Sequence, residues 1–221
     1  MRPEIVFLHT SPLHVPTFAT LVKAIDPTLR IAHRVVESLL SDAQRLGADD
    51  PILTARVHAA MLAAAKTGAA IVVCTCSSIG GCAERTPTED RFQALRIDRA
   101  MADRAVRLGP GILIVAALES TLAPTIALIR ESATDLNLPV DIESVVASGA
   151  WPLFINGRHD EYVNRIAQTV RAYSGTATVV VLAQASMAPA QDELRNFTRE
   201  VLSSSALGVQ WVISRLTGHA Q

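Results

Sequence analysis

Short runs of β-branched residues alternate along the chain with longer stretches rich in Ala and Leu. The short runs predict strands, and the longer stretches between them predict helices. A strand–helix alternation of this kind is typical of parallel sheets with right-handed helical crossovers, an α/β fold. The predicted strands are Ile5–Leu8, Ile31–Val36, Ala70–Cys74, Ile112–Ala116, Val140–Val146 and Thr178–Leu182. The predicted helices are Thr17–Ala24, Ile52–Lys66, Ile97–Arg107, Ala123–Leu136, Glu161–Tyr173 and Gln191–Ser203.

Two stretches of the chain are repeated about 107 to 109 residues further on. Segments 70–77 and 179–186 each carry four apolar residues, followed by a small, a polar and a small residue and then a serine. The strand predicted at Ile5–Leu8, with the loop after it, likewise resembles the strand at Ile112–Ala116. The repeat predicts two pseudo-symmetric α/β lobes with an active site in the cleft between them. We place the first lobe at residues 1–104 plus 204–221 and the second at residues 105–203.

The composition fits a layered α/β protein and argues against several partners. Apolar residues make up 49% of the chain and aromatic residues only 4%, so the predicted core is aliphatic. The 20 Lys and Arg residues balance 21 Asp and Glu residues without a basic stripe, which argues against a nucleic-acid partner. No apolar run has the roughly 20 residues of a membrane-spanning helix, so no membrane partner is predicted. The three cysteines lie within nine positions, which argues against a disulfide framework and predicts a cytoplasmic protein.

The loops that follow the predicted strands are rich in small hydroxyl residues. Function in parallel sheets lies just beyond the carboxyl ends of the strands, and backbone N–H groups at helix N-termini bind anions. A single Ser or Thr in such a loop also serves as an ordinary helix cap, but several of these loops together predict a site for a small carboxylate. The residues that we assign to substrate binding are His9, Thr10, Ser11, Thr75, Ser77, Ser78, Ser120, Thr121 and Ala185.

Cys76 is the candidate acid–base group. The sequence after it, Ser-Ser-Ile-Gly-Gly, predicts a helix N-terminus whose amides would lower the thiol pKa, with glycines that let the backbone approach a ligand. Cys74 ends an apolar strand and is predicted to be buried, and Cys82 is assigned to packing. The cysteine spacing does not match that of zinc ligands, so no metal is predicted.

Other polar residues near these loops have more than one interpretation. His9 and His14 flank the first loop and could orient a substrate or lower the thiol pKa. Asp98 is predicted either to cap the helix after it or to pair with Arg96, and this structural role is favoured over a grip on the substrate. The remaining histidines are assigned to the surface or to helix faces: His33, His58, His159 and His219.

In the segments Cys76-Ser77-Ser78 and Leu182-Ala183-Gln184-Ala185 the chain resembles the aspartate/glutamate/hydantoin racemase superfamily. The resemblance covers essentially the whole chain. It implies two α/β lobes that invert a carbon next to a carboxylate, without a cofactor, by means of one cysteine from each lobe. No cysteine follows Cys82 here, so Gln184 or Ala185 holds the position of the second thiol. The catalytic residues predicted on this basis are Cys76, Gln184 and, as the nearest hydroxyl, Ser186.

A single thiol leaves several activities open. The first prediction is a racemase or isomerase of an amino-acid-like acid that uses Cys76 on one face of the carbon and a different group on the other. Alternatives are a lyase resembling arylmalonate decarboxylases, with the thiol as proton donor, and attack of the thiol on a C=C bond, as in maleate isomerases. A non-catalytic ligand-binding protein of the same fold is the remaining alternative. The predicted partner is a small carboxylate substrate, and the Ala- and Leu-rich helices are compatible with a homodimer or a higher homo-oligomer.

Overall fold

The computed structural model describes residues 2–218. The chain divides into two compact units. The first unit runs up to Asp98 and takes in the chain from Ser205 onward, and the second is Arg99–Ser204. Each unit has a parallel sheet of its own and a separate cluster of buried apolar side chains as its core.

The first unit is built on a parallel sheet of four strands in the order β2-β1-β3-β4. The two central strands are buried along their whole length, which explains why they read as unbroken apolar runs. The strands are β1 (Ile5–His9), β2 (Ile31–Val35), β3 (Ile71–Cys74) and β4 (Gln93–Arg96). The helices that flank this sheet are α1 (His14–Ile25), α2 (Ser38–Leu46), α3 (Pro51–Ala65), α4 (Ser77–Glu84) and, at the far end of the chain, α10 (Ser204–Thr217).

The second unit repeats this plan with four parallel strands in the order β6-β5-β7-β8. Its strands are β5 (Gly111–Ala116), β6 (Asp141–Val146), β7 (Val179–Leu182) and β8 (Glu200–Ser203). Its helices are α5 (Arg99–Leu108), α6 (Glu119–Leu136), α7 (Ala150–Ile155), α8 (His159–Tyr173) and α9 (Ala190–Glu193), with a 3₁₀ turn at Ala185–Met187. Two four-stranded parallel sheets flanked by helices confirm the predicted fold class.

The strand pairing confirms the internal repeat and fixes its alignment. Ile5 pairs with Ile71 in the first sheet, as Ile112 pairs with Val179 in the second. Cys76 is the N-cap residue two positions after the end of β3, and Gln184 is the N-cap residue two positions after the end of β7. Gln184, and not Ala185, is therefore the counterpart of Cys76 in the second unit.

All six predicted strands are present, but two further strands were missed. Both β4 and β8 are four-residue strands at a sheet edge, and polar residues break up their apolar pattern. The prediction of one helix over Gln191–Ser203 is wrong, because α9 ends at Glu193 and the chain returns to the sheet as β8. Helices α2, α7 and α10 were also missed, and of α4 only the N-terminus after Cys76 was predicted. Among residues 2–218, no helix is both long enough and apolar enough to span a membrane.

Candidate active site

Cys76 occupies the N-terminal cap position of α4, two residues beyond the end of β3. Its backbone is extended, with φ −102° and ψ 114°, so the chain turns from strand to helix at this residue. All three cysteines are free thiols, and Cys76 is half-buried whereas Cys74 and Cys82 are buried. Cys74 and Cys82 belong to the apolar core, as predicted. Cys76 is thus the one cysteine of the three that is not fully buried.

Opposing effects act on the thiol of Cys76. Burial and the negative charge of Asp98 favour the neutral thiol, whereas the Thr10 hydroxyl and the backbone N–H groups of Ser78 and Ile79 favour the thiolate. The protein atoms packed around this partly buried side chain outweigh the donors, and burial raises the pKa of Cys76 above its ordinary value. The sequence correctly placed amides at the sulfur, but the net shift of the pKa is opposite to the predicted one. Cys76 therefore carries its proton at neutral pH.

His9 is buried at the end of β1 and is hydrogen-bonded through both ring nitrogens. Its Nδ1 lies 2.8 Å from Oγ1 of Thr75, and its Nε2 lies 2.8 Å from Nδ1 of His33. His14 lies at the start of α1, with its ring centroid 6.4 Å from that of His9. The three imidazoles form a cluster, which we call the histidine cluster, beside the loop that carries Cys76. His33 was wrongly assigned to the surface or a helix face, because its position on β2 brings it against His9.

The histidine cluster is uncharged near neutral pH. Burial, together with the positive charge that His33 and His14 would carry, lowers the pKa of His9 to about 3. Burial lowers the pKa of His14 to about 4, and it also lowers the pKa of His33. These side chains therefore act as neutral donors and acceptors of hydrogen bonds rather than as cations.

The histidine cluster should make the protein less stable as the pH falls from 6.5 to 5. The folded-state pKa values of His9 and His14 lie below the ordinary value of 6.5, so the unfolded chain binds more protons in this window. Each histidine then lowers the free energy of unfolding by up to about 1.4 kcal/mol per pH unit. Urea unfolding at several pH values in this range gives the free energy of unfolding as a function of pH. Its slope against pH should be shallower for His14→Gln than for the wild type, because one histidine no longer contributes. His159→Gln, at an exposed position, should keep the wild-type slope; equal slopes for all three proteins would contradict the prediction.

Arg96 and Asp98 form a buried ion pair behind the first turn of α4. Two parallel hydrogen bonds join them, Nε to Oδ1 at 2.7 Å and Nη2 to Oδ2 at 3.0 Å. Burial disfavours the Asp98 carboxylate, but the Arg96 charge and hydrogen bonds, one of them from Ser77, outweigh it and lower the pKa of Asp98. The structural role that the sequence favoured for this pair is therefore observed.

The glycines of α4 lie close to this ion pair. A Cβ atom on Gly80 would lie 3.0 Å from three atoms of the Arg96 guanidinium group, which is tighter than ordinary contact. A Cβ atom on Gly81 would lie 3.2 Å from Nη1 of Arg85 and, in ordinary contact, 3.5 Å from Nη1 of Arg96. These glycines let a buried guanidinium pack directly against the helix. That they also let the backbone approach a ligand stays a prediction.

Within the first unit, the structure brings most of the predicted site residues together around Cys76. Thr10 and Ser78 are in contact with its sulfur, and Ser77 donates to Asp98. Thr75 lies between β3 and Cys76 and is buried. Ser11 has a different role, because its Oγ accepts from the backbone N–H of Leu13 at 3.3 Å, in the turn before α1.

In the second unit, Gln184 links two strand ends. Its Oε1 accepts from the backbone N–H of Ala117, after β5, at 2.7 Å, while its Nε2 is buried without a partner among residues 2–218. Ser186 lies 2.8 Å from the hydroxyl of Tyr162, a residue of the second core. The other predicted residues of this unit lie at helix starts: Ser120 and Thr121 in the first turn of α6, and Ala185 in the 3₁₀ turn.

Sequence reasoning missed two features of the site, the His9–His33 contact and the support of α4 by Arg96. The His9–His33 contact could have been predicted, because His33 is on a predicted strand and that strand lies next to the strand of His9.

No group of three or more His, Cys, Asp or Glu side chains is arranged to hold a metal ion in the described part of the chain. His58 is bonded to the carbonyl oxygen of Cys82 at 3.1 Å, and His159 is exposed on a helix, as predicted. The prediction for His219 lies outside the described residues.

Comparison with solved structures identifies the fold. No protein-family model matches the sequence, and no curated protein matches it as a relative. A glutamate racemase from Bacillus anthracis is 12% identical with a TM-score of 0.71, over 98% of this chain and 83% of its own. An aspartate racemase from Picrophilus torridus is 11% identical with a TM-score of 0.69, over 97% of this chain and 94% of its own.

A Gly-to-Cys variant of arylmalonate decarboxylase is 16% identical with a TM-score of 0.62, over 99% of this chain and 95% of its own. All three proteins are of the aspartate/glutamate/hydantoin racemase superfamily. The resemblance that the sequence indicated is thus confirmed for the fold: the chain has the α/β fold of these racemases and of this decarboxylase.

Proposed function

We propose that the protein is a cofactor-independent enzyme that transfers a proton at the carbon next to a carboxylate, with Cys76 as the proton-carrying group. The observation that carries the proposal is the placement of a partly buried free thiol at the N-terminus of α4, beside the Thr10 hydroxyl and the first-turn amides. These donors suit both the thiolate left after proton transfer and the negative charge of an enediolate. The likeness to racemases and a decarboxylase supports the same class of chemistry.

The neutral state of Cys76 favours the role of acid over that of base. A thiol with a raised pKa holds its proton at neutral pH and can donate it to a carbanion, whereas it abstracts one poorly. In a racemase a second group must complete the exchange on the other face of the carbon. Gln184 holds that place in the repeat, and an amide does not titrate near neutral pH. Ser186 is bonded to Tyr162, whose phenol pKa burial raises.

Within the proposal, loss of CO2 is therefore favoured over racemisation. The bond between the α-carbon and one carboxyl group breaks, its electron pair remains on the substrate as an enediolate, and CO2 leaves. The proton of Cys76 is then transferred to the α-carbon, and the resulting thiolate takes a proton from water. This sequence needs one thiol and no base, which matches the residues of the chain. Racemisation remains the second candidate because two of the three structural neighbours described above are racemases.

Turnover of two substrate panels in D2O tests the proposal. Substituted malonates should release CO2 and yield products that carry one deuterium at the α-carbon, whereas racemisation would exchange the α-proton of amino acids or hydroxy acids without gas release. Cys76→Ser should reduce the rate by about 10²–10⁴-fold, the usual contribution of a positioned acid. Cys82→Ser is the matched control, because Sγ of Cys82 donates to the Ala48 carbonyl at 3.1 Å and a hydroxyl can keep that bond. A Cys76→Ser variant as active as wild type would overturn the proposal, and inertness of the wild type towards both panels would favour the non-catalytic alternative.

A further inference from the structure

A chain of hydrogen bonds joins the edge strand β2 to the loop that carries Cys76. Nδ1 of His33 lies 2.8 Å from Nε2 of His9, and Nδ1 of His9 lies 2.8 Å from Oγ1 of Thr75. The Thr75 hydroxyl in turn donates to the carbonyl oxygen of Leu8 at 3.2 Å. His9 is bonded on both ring nitrogens and has 0% of its surface exposed, so it offers nothing to a substrate directly.

One arrangement of protons satisfies all three bonds while His9 is neutral. The Leu8 carbonyl can only accept, so the single hydroxyl proton of Thr75 is donated to it. The Thr75 oxygen then accepts from Nδ1–H of His9, and the unprotonated Nε2 of His9 accepts from Nδ1–H of His33. The complete burial of His9 fits this neutral form, because burial disfavours the charged imidazole.

Two members of this arrangement, His9 and Thr75, are next in sequence to residues at the thiol site. Thr10, the residue after His9, donates its hydroxyl to the Cys76 thiol, and Thr75 is the residue before Cys76. We propose that His9 is a positioning residue whose neutral imidazole holds the loops after β1 and β3 together, so that the Thr10 hydroxyl and the amides of α4 stay directed at the sulfur of Cys76. The inference deepens the proposed function, on which it rests for the role of Cys76 as the reacting group.

Alkylation of Cys76 by iodoacetamide as a function of pH tests the inference without a substrate. Peptide mass spectrometry separates its modification from that of Cys74. The ionisable groups facing Cys76 are Cys74 and Asp98, and neither is changed in the variants. His9→Phe keeps an aromatic ring but removes both hydrogen bonds. It should raise the apparent pKa of Cys76 and slow alkylation about tenfold at a fixed pH below that pKa, because one pKa unit corresponds to a tenfold change in thiolate.

Two further variants keep the test informative if His9→Phe folds poorly. His9→Asn retains an N–H near the position of Nδ1 and should stay within about threefold of the wild-type rate. Thr75→Val breaks the same chain at its other end and should shift the pH profile in the same direction as His9→Phe. His58→Phe is the matched control, since it removes a histidine hydrogen bond to the Cys82 carbonyl away from Cys76 and should leave the profile unchanged.

A wild-type pH profile in both His9→Phe and Thr75→Val, with only a lower melting temperature, would overturn the inference. Faster alkylation in these variants would also overturn it, because the hydrogen bonds would then only shield the thiol. Failure of the proposed function gives a different result. In that case no substrate is turned over by the wild type, while the alkylation profile of Cys76 still depends on His9.

Discussion

Replacing Asp98 by asparagine should lower the free energy of unfolding by about 3–5 kcal/mol. The substitution keeps the size of the side chain but removes its charge. The Arg96 guanidinium, with only 3% of its side chain exposed, would then be a buried charge without its carboxylate. The cost of such an orphaned charge is much larger than the net contribution of the intact pair. Urea unfolding at pH 7 measures the loss as a shift of the transition midpoint.

Asp192→Asn is the matched control for Asp98. Asp192 also pairs with an arginine, Arg195 at 3.2 Å, but both side chains are more than two thirds exposed. Exposed pairs of this kind contribute about 0–1 kcal/mol, so the control should unfold close to the wild type. The double variant Arg96→Met with Asp98→Asn removes the orphaned charge and should recover part of the loss. Equal stability of the Asp98→Asn and Asp192→Asn variants would show that the buried pair does not support α4 as we infer.

Replacing Gly208 by alanine should cost about 3 kcal/mol or more, although alanine is the better helix former. In an open helix the change would gain up to about 1 kcal/mol. Here a Cβ atom on Gly208 would lie 2.0 Å from the carbonyl oxygen of Ile97 and under 3 Å from two atoms of its side chain. A backbone oxygen cannot rotate away, so α10 would have to move away from Ile97, the residue after β4. Overpacking of this severity exceeds the usual cost of about 1–3 kcal/mol.

Gln210→Ala separates this steric effect from helix propensity. Gln210 lies on the same helix, α10, and is exposed, so the change to alanine should leave stability within about 0.5 kcal/mol of the wild type. The midpoint of urea unfolding should fall for Gly208→Ala and stay in place for the control. A Gly208→Ala variant as stable as the wild type would mean that α10 can shift freely against Ile97.

The sequence alone was sufficient for the central strands, because their period and composition reflect local physics. β1, β3, β5 and β7 are covered on both faces, so each reads as an unbroken apolar run and was found within a few residues of its observed bounds. The edge strands β4 and β8 were missed because an edge position tolerates polar residues, and what makes them strands is pairing with one neighbour.

The candidate site divides in the same way. The position of Cys76 after a strand, and of hydroxyl residues around it, could be predicted because parallel strands present their carboxyl ends at one edge. The charge state of Cys76 could not be predicted from the sequence. Local sequence placed helix amides near the sulfur, which favours the thiolate, whereas the burial that outweighs them comes from segments distant in sequence.

What the sequence determined by itself is the α/β architecture, its duplication and the single thiol near a helix start. Only the tertiary structure decided that Gln184 is the counterpart of Cys76, that His33 bonds His9, and that the α4 glycines accommodate Arg96. The physical reason is the range of the interactions. Strand and helix periodicity are set by neighbours in sequence, but register, burial and hydrogen bonds between loops depend on residues that meet only once the chain has folded.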